Sequence, residues 1–180
     1  MATIITNFYS VDNQIAVDLN NPQTISVTTN PEIPGPRSVL GDICQGIGGS
    51  QWIFVKASTT VTALNLVMID ESFNANNAVQ IVGSLVSHTF GLAEFQASVA
   101  NAGDYFWAAV QGRGGMLANV QSTAAAGLTL YLSSSTPGAL TTTVTSSASN
   151  TLVKNAYVVS SLLSTTAAVE VIFAFMQASA

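Results

Sequence analysis

Ionisable side chains are scarce in this sequence. Only 7% of its 180 residues are charged, whereas roughly 25% are charged in an ordinary soluble domain. Nine acidic residues outnumber the four basic ones, which gives a formal net charge of −5, and the basic residues are far apart at Arg37, Lys56, Arg113 and Lys154. Nucleic acids and anionic membrane surfaces both select clustered basic residues, so we expect neither as a partner. A surface with so little charge repels its own copies weakly, which favours a chain that works within an assembly.

Cysteine and histidine each occur once, as Cys44 and His88. An intrachain disulfide is therefore excluded. A zinc site needs four converging ligands, and the chain has no CxxC or HxxxH spacing. No local signature joins His88 to Cys44, or to a serine, as a catalytic dyad. We predict that Cys44 is a small buried hydrophobic residue and that His88 is a half-buried strand residue that hydrogen-bonds locally.

The remaining candidates for chemistry also favour structural roles. Asp70 and Glu71 are the only adjacent pair among the carboxylates Asp42, Asp70, Glu71, Glu94, Asp104 and Glu170. They could help to hold calcium with Asn74 and Asn76, but the DxDxDG spacing is missing, so we predict a solvated hairpin end. The glycine segments GIGGS (46–50) and QGRGGM (111–116) lack the Lys-Ser/Thr ending of a phosphate loop and are predicted to be turns. Arg113 at such a turn could pair with a carboxylate of a neighbouring chain. We therefore predict no catalytic, cofactor-binding or metal-binding residues, and no enzymatic activity.

Prolines concentrate in the first forty residues, where four of the five occur. Three of them fall within NPEIPGPRS, which fixes backbone angles and excludes a helix. We predict an extended N-terminal arm and stiff connector over residues 1–40, with Ile15–Leu19 and Thr24–Thr28 as edge strands. The sequence has no basic segment followed by an apolar run near its start and no long apolar stretch, so we expect neither a secretory signal nor a spanning helix.

Residues 41–180 consist of short β-type runs separated by turn residues. The pattern predicts an all-β body, a β-barrel or β-sandwich, in one domain. Tyr105, Phe106 and Trp107 are consecutive and so alternate between faces, with packing in the core as their first expected role and a subunit interface as their second. Glu71–Ala78 and GRGG are predicted to be turns between strands. The predicted strands are Gln51–Ala57, Thr60–Asp70, Val79–Ser84, Ser87–Val99, Asp104–Gly112, Gly115–Gln121, Leu128–Ser133, Ala139–Val144, Ala156–Leu163 and Ala168–Gln177.

The segment Ala102–Thr143 resembles small virion proteins of tailed bacteriophages, especially head decoration proteins. In those proteins an aGdy-W-xxVqG strand precedes a short alternating strand, an aaG-x-x-L turn and strand, and a T-x-G-x-L turn. FGLAEFQASV before it and AYVVSSLL…AVEVIFAFM after it extend the resemblance from about Trp52 to the C-terminus. The matching positions are Gly103, Asp104, Tyr105, Trp107, Val110, Gln111, Gly112, Gly127, Leu130, Thr136, Gly138 and Leu140.

The resemblance implies a non-enzymatic capsid decoration, or cement, subunit. Such proteins are β-barrels or sandwiches that assemble, often as trimers, on the outer capsid surface, where they bridge and stabilise capsid subunits. The expected partners are then the major capsid protein and further copies of the chain, and the expected location is the virion, after assembly in the host cytoplasm. Two alternatives remain: a phage tail, neck or head-fibre component, and a virion-surface carbohydrate-binding module that would expose Trp52, Trp107 and Tyr131.

Overall fold

The computed structural model describes residues 38–46, 49–79, 89–95, 97–121, 124–143, 152–160 and 166–177. Within these ranges the chain is all-β, as predicted, and contains no α-helix. Nearly all of the predicted N-terminal arm lies outside them, including both of its edge strands, and so does His88. The strands are β1 (Ile43–Gln45), β2 (Gln51–Ala57), β3 (Val61–Thr62), β4 (Leu66–Ile69), β5 (Asn74–Asn77), β6 (Thr89–Leu92), β7 (Val99–Ala100), β8 (Tyr105–Asn119), β9 (Thr129–Leu132), β10 (Leu140–Thr141), β11 (Leu152–Val158) and β12 (Thr166–Gln177).

Five of these strands close into a β-barrel in the order β2-β5-β4-β6-β8. Pairing of β2 with β8, from Gln51↔Gln111 to Lys56↔Tyr105, completes the ring. The neighbouring pairs are antiparallel except β2–β5, which are parallel. Closure leaves these strands without an open edge inside the ring.

Small side chains fill the barrel interior because a five-stranded ring is narrow. One buried cluster takes alternate residues from around the ring, and alanines at 57, 75, 93, 100 and 108 make up much of it. Gly91 belongs to the same face, since a Cβ placed there would lie 3.0 Å from the Cβ of Ala108. Valines, isoleucines, Phe95 and Phe106 complete the cluster, and the two phenylalanine ring centroids are 5.4 Å apart in an edge-to-face contact.

A second layer of strands packs on one outer face of the barrel. It begins with the second half of β8 and continues through β12, β11, β9 and β10. Leu140 of β10, the last strand in this order, forms a parallel bridge with Val120, which directly follows β8. The 15-residue β8 therefore belongs to both the barrel and the second layer.

The main core lies between the barrel and the second layer. It contains the large side chains of Trp52, Phe54, Leu66, Leu92 and Trp107, all at most 1% exposed. The rings of Phe54 and Trp107 are 5.1 Å apart. Each such side chain contributes roughly 1.5–3 kcal/mol by its burial, so this core ties the two layers together.

Several predicted elements differ from the structure. Ser87–Val99, predicted as one strand, contains β6 and only the first residue of β7. Thr60–Asp70, predicted as one strand, forms β3 and β4, because Leu64 between them has φ of 65° and turns the chain. Glu71–Ala78, predicted as a turn, contains β5, which completes the barrel beside Lys56 and Ala57 of β2.

The predicted turn at GRGG lies inside the continuous strand β8. Gly112 pairs with Val171 of β12 and Met116 pairs with Val169, so the residues between Gly112 and Met116 form a bulge that their glycines permit. At Gly112 a Cβ would overlap the flexible side chain of Met116, so a larger residue there would require that side chain to move. The register between β8 and β12 shifts at this point, between Val169 and Val171.

Candidate functional site

Val39, 73% exposed, and Ile43, 61% exposed, are the two most exposed large apolar side chains among the described residues. Both lie at the start of the described chain, where the proline-rich segment joins the body. Ile43 begins β1, which pairs with β2 and is the first strand in the order of the sheet. We call Val39 and Ile43 the entry patch.

Hydrogen bonds to the backbone fix the turn that carries the entry patch. The Oδ2 atom of Asp42 accepts a hydrogen bond of 2.7 Å from the backbone N–H of Val39. The N–H of Gly41 donates to Phe54 O at 2.9 Å, and the N–H of Phe54 donates to Asp42 O at 2.9 Å. Gly41 has φ of +88°, and a Cβ there would meet the ring of Phe73. The patch is therefore held on a defined surface of the body, and a partner would meet a preformed shape.

A second exposed pair, Leu128 and Tyr157, lies on the second layer. They are 41% and 45% exposed. The N–H of Val158, which follows Tyr157, donates to Leu128 O at 3.1 Å, so the two exposed residues lie on adjacent segments. Their exposure is smaller than that of the entry patch and is within the range normal for scattered surface residues.

Cys44 is 1% exposed, which confirms the prediction that it is a small buried residue. It pairs with Trp52 in the β1–β2 register and belongs to the main core.

Asp70 organises the hairpin between β4 and β5. Its Oδ1 accepts hydrogen bonds from the backbone N–H groups of Ser72 at 2.8 Å and Asn74 at 2.9 Å. The side-chain amide of Asn74 also donates to the same carboxylate. Glu71 is exposed. The segment is thus the predicted solvated hairpin end, and no group of three metal-ligating side chains forms among the residues described.

The consecutive aromatic residues are mostly core residues. Phe106 and Trp107 are each 1% exposed, and Trp52 is fully buried. A carbohydrate platform built on Trp52 and Trp107 is therefore not available; Tyr131 alone of the three is partly exposed. Tyr105 is half-buried, stacks on Phe54 at 5.8 Å and has the Lys56 ammonium group 5.8 Å from its ring centroid.

Arg113 lies within β8 and not at a turn. Its pairing with a neighbouring chain stays a prediction.

Sequence reasoning did not identify Glu94, which the structure places in an unusual environment. It is only 8% exposed, two residues after β6. Oε1 accepts a 2.9 Å hydrogen bond from the backbone N–H of Leu117, and Oε2 is buried with no partner among the described residues. Burial raises the pKa of Glu94 to about 8, although the Leu117 bond acts in the opposite direction. The available signal is a single acidic residue inside the apolar run FGLAEF.

Three asparagines connect the barrel to the second layer. The side-chain amide of Asn65 donates to Asn77 Oδ1 and to Pro137 O, each at 3.1 Å. Its own Oδ1 accepts a bond of 3.1 Å from the amide of Asn119. Asn65 is 2% exposed, whereas Asn77 and Asn119 are half-buried and Pro137 is exposed, so these bonds are partly shielded from water. The cluster is a structural joint, since its side chains satisfy one another or the backbone.

Comparison with known proteins gives no family model and no curated protein that matches the chain. In the ranges described above, no helix is long and apolar enough to cross a membrane.

Proposed function

We propose that this chain is a capsid decoration subunit of a tailed bacteriophage. Its body binds the outer surface of the shell through the entry patch and the adjoining proline-rich segment, and it bridges neighbouring capsid subunits. Repetition over the symmetric shell gives many weak contacts a high combined avidity.

The observation that carries this proposal is where the exposed apolar surface lies. In its described part, this charge-poor body buries most of its large apolar side chains, yet Val39 and Ile43, which follow the proline-rich segment in the sequence, are exposed. Apolar side chains on a preformed surface are typical of the centre of a protein–protein interface. The resemblance of Ala102–Thr143 to decoration proteins supports a capsid as the partner. The buried positions of Trp52 and Trp107 count against carbohydrate binding through these rings.

Binding to capsids assembled without this protein tests the proposal. Full-length chain is mixed with purified capsids, the particles are sedimented, and the bound chain is quantified. We expect saturable binding of the native chain, strongly reduced binding of the double variant Val39→Thr/Ile43→Thr, and none after deletion of residues 1–36.

A control with the same type of substitution removes exposed apolar side chains elsewhere. The double variant Val99→Thr/Leu128→Thr changes two exposed residues on other parts of the body, and it should bind as the native chain does. Circular dichroism and thermal unfolding confirm that each variant is folded. Failure of the native chain to bind capsids, or equal binding of all variants, would contradict the proposal.

A further inference from the structure

Glu94 lies at the joint between the barrel and the second layer. The N–H of Ala93 donates to Asn65 O at 2.9 Å, and the N–H of Leu64 donates to Ala93 O at 2.8 Å. The N–H of Asn119 in turn donates to Leu64 O at 2.8 Å. The chain around Glu94 is therefore linked to the start of β4 and, through Leu64, to the end of β8.

The hydrogen bond from Leu117 to Glu94 adds a side-chain contact to this joint. Leu117 pairs with Ala168 of β12 along one edge of β8. Its N–H donates to Glu94 Oε1. A side-chain carboxyl thus joins the second half of β8 to the barrel at this position.

Few ionisable groups belong to the elements packed here. The segments Leu64–Leu66, Thr89–Leu92, Met116–Asn119 and Thr166–Val169 contain none. Elsewhere, β8 carries Tyr105 and Arg113, and β12 carries Glu170, whose Cα pairs with Tyr157 of β11. The raised pKa of Glu94 arises from burial, with the Leu117 N–H as the one opposing contribution.

We propose that Glu94 is a proton-dependent latch that holds the second layer against the barrel. As a neutral acid, the side chain stays buried and accepts the Leu117 N–H. As a carboxylate, it requires water at both oxygens, and the joint between Leu64–Glu94 and Met116–Asn119 opens to admit it. The reaction is a simple proton exchange with solvent, and no other chemical group is consumed.

The direction of the pH effect follows from the two states of the latch. In the open state Glu94 is hydrated and titrates near its ordinary value of 4.5, whereas in the closed state its pKa is about 8. Opening therefore releases a proton throughout this interval. The opening equilibrium increases about tenfold for each pH unit between these two values and levels off above the higher one.

Amide hydrogen exchange of the full chain measures this opening. Rates for Leu117 and Asn119 are corrected for the intrinsic pH dependence of exchange and collected at several low urea concentrations. We expect their opening equilibrium to rise with pH while remaining insensitive to urea, as local opening does. Amides of the barrel ladder, such as those of Val55 and Val67, should respond to urea because they exchange through global unfolding.

Glu94→Gln keeps an oxygen acceptor for Leu117 but cannot ionise, so its opening equilibrium should not depend on pH. Glu71→Gln, at an exposed carboxylate, should behave as the native chain does. The latch is overturned if Leu117 and Asn119 share the urea dependence of the barrel, or if Glu94→Gln keeps the native pH dependence. Direct ¹³C titration of the Glu94 carboxyl group needs no variant, and a midpoint between about 4 and 5 would also overturn it.

Discussion

Asn65 and Asn119 are 54 residues apart in the sequence, yet their side chains form a 3.1 Å hydrogen bond between the barrel and the second layer. The same Asn65 amide donates to Asn77 in the barrel and to Pro137 in the loop before β10. Apolar contacts are not directional, so the core alone orients these segments only loosely. The hydrogen bonds of one buried side chain therefore give the two layers one relative orientation.

Replacing Asn65 with alanine should destabilise the protein by about 2–4 kcal/mol, because three part-buried hydrogen bonds are lost at once. Urea denaturation measures the change. Asn76→Ala is the control: its Oδ1 accepts one exposed bond from Thr59 at 2.9 Å, and its loss should cost less than about 1 kcal/mol. Equal effects of the two substitutions would show that the joint adds no stability.

Gly138 is required by the contact it makes with Asn65. It has φ of +78°, and a Cβ there would lie 2.7 Å from the Cβ of Asn65. Gly127 has a similar φ of +83°, but a Cβ placed there would meet nothing within 4 Å. Gly127→Ala should therefore cost about 1–2 kcal/mol from backbone strain alone, and Gly138→Ala should cost clearly more. Thermal unfolding of the two variants separates the cost of the contact with Asn65 from the cost of backbone strain. Similar costs for the two variants would refute the requirement for glycine at this contact.

Global stability should decrease as the pH rises because of Glu94. Its pKa is higher in the folded protein, about 8, than the ordinary value of 4.5 expected after unfolding. The contribution of neutral Glu94 to the free energy of unfolding is therefore complete below the unfolded pKa of 4.5. It falls by about 1.4 kcal/mol for each pH unit above that value and is lost as the pH rises through the folded pKa of about 8. Glu94→Gln removes this dependence, so the stability of the variant relative to the native chain should increase from about pH 5 to about pH 8. Urea denaturation at each pH provides the values, and a difference that is constant with pH would contradict the assignment.

The sequence predicts well those elements whose signal is local. β2 has its predicted bounds because Gln51–Ala57 is rich in large and β-branched residues. β5 is missed because asparagine disfavours strands, and its parallel pairing with β2 depends on contacts between residues that are distant in the sequence. Glycines at 112, 114 and 115 indicate a turn, but the same freedom of the backbone also permits a bend within a strand.

Among the candidate sites too, only the features with a local signal could be predicted from the sequence. Burial of Cys44 and the role of Asp70 at a hairpin follow from composition and spacing. The entry patch does not, because Val39 and Ile43 are ordinary apolar residues in sequence and their exposure depends on the turn fixed by Asp42. Glu94 becomes distinct only in the folded chain, where the backbone of β8 reaches its carboxyl group.

The number of copies that capsids bind at saturation tests most directly whether the chain is a capsid decoration subunit. Particles assembled without the chain are incubated with an excess of it, purified, and analysed by quantitative mass spectrometry of both proteins. The account predicts a number of bound copies that scales with the number of capsid subunits, together with greater resistance of the loaded particles to heat. A few copies per particle would instead indicate a component of the tail, neck or head fibre, and no bound copies would contradict a role on the capsid altogether.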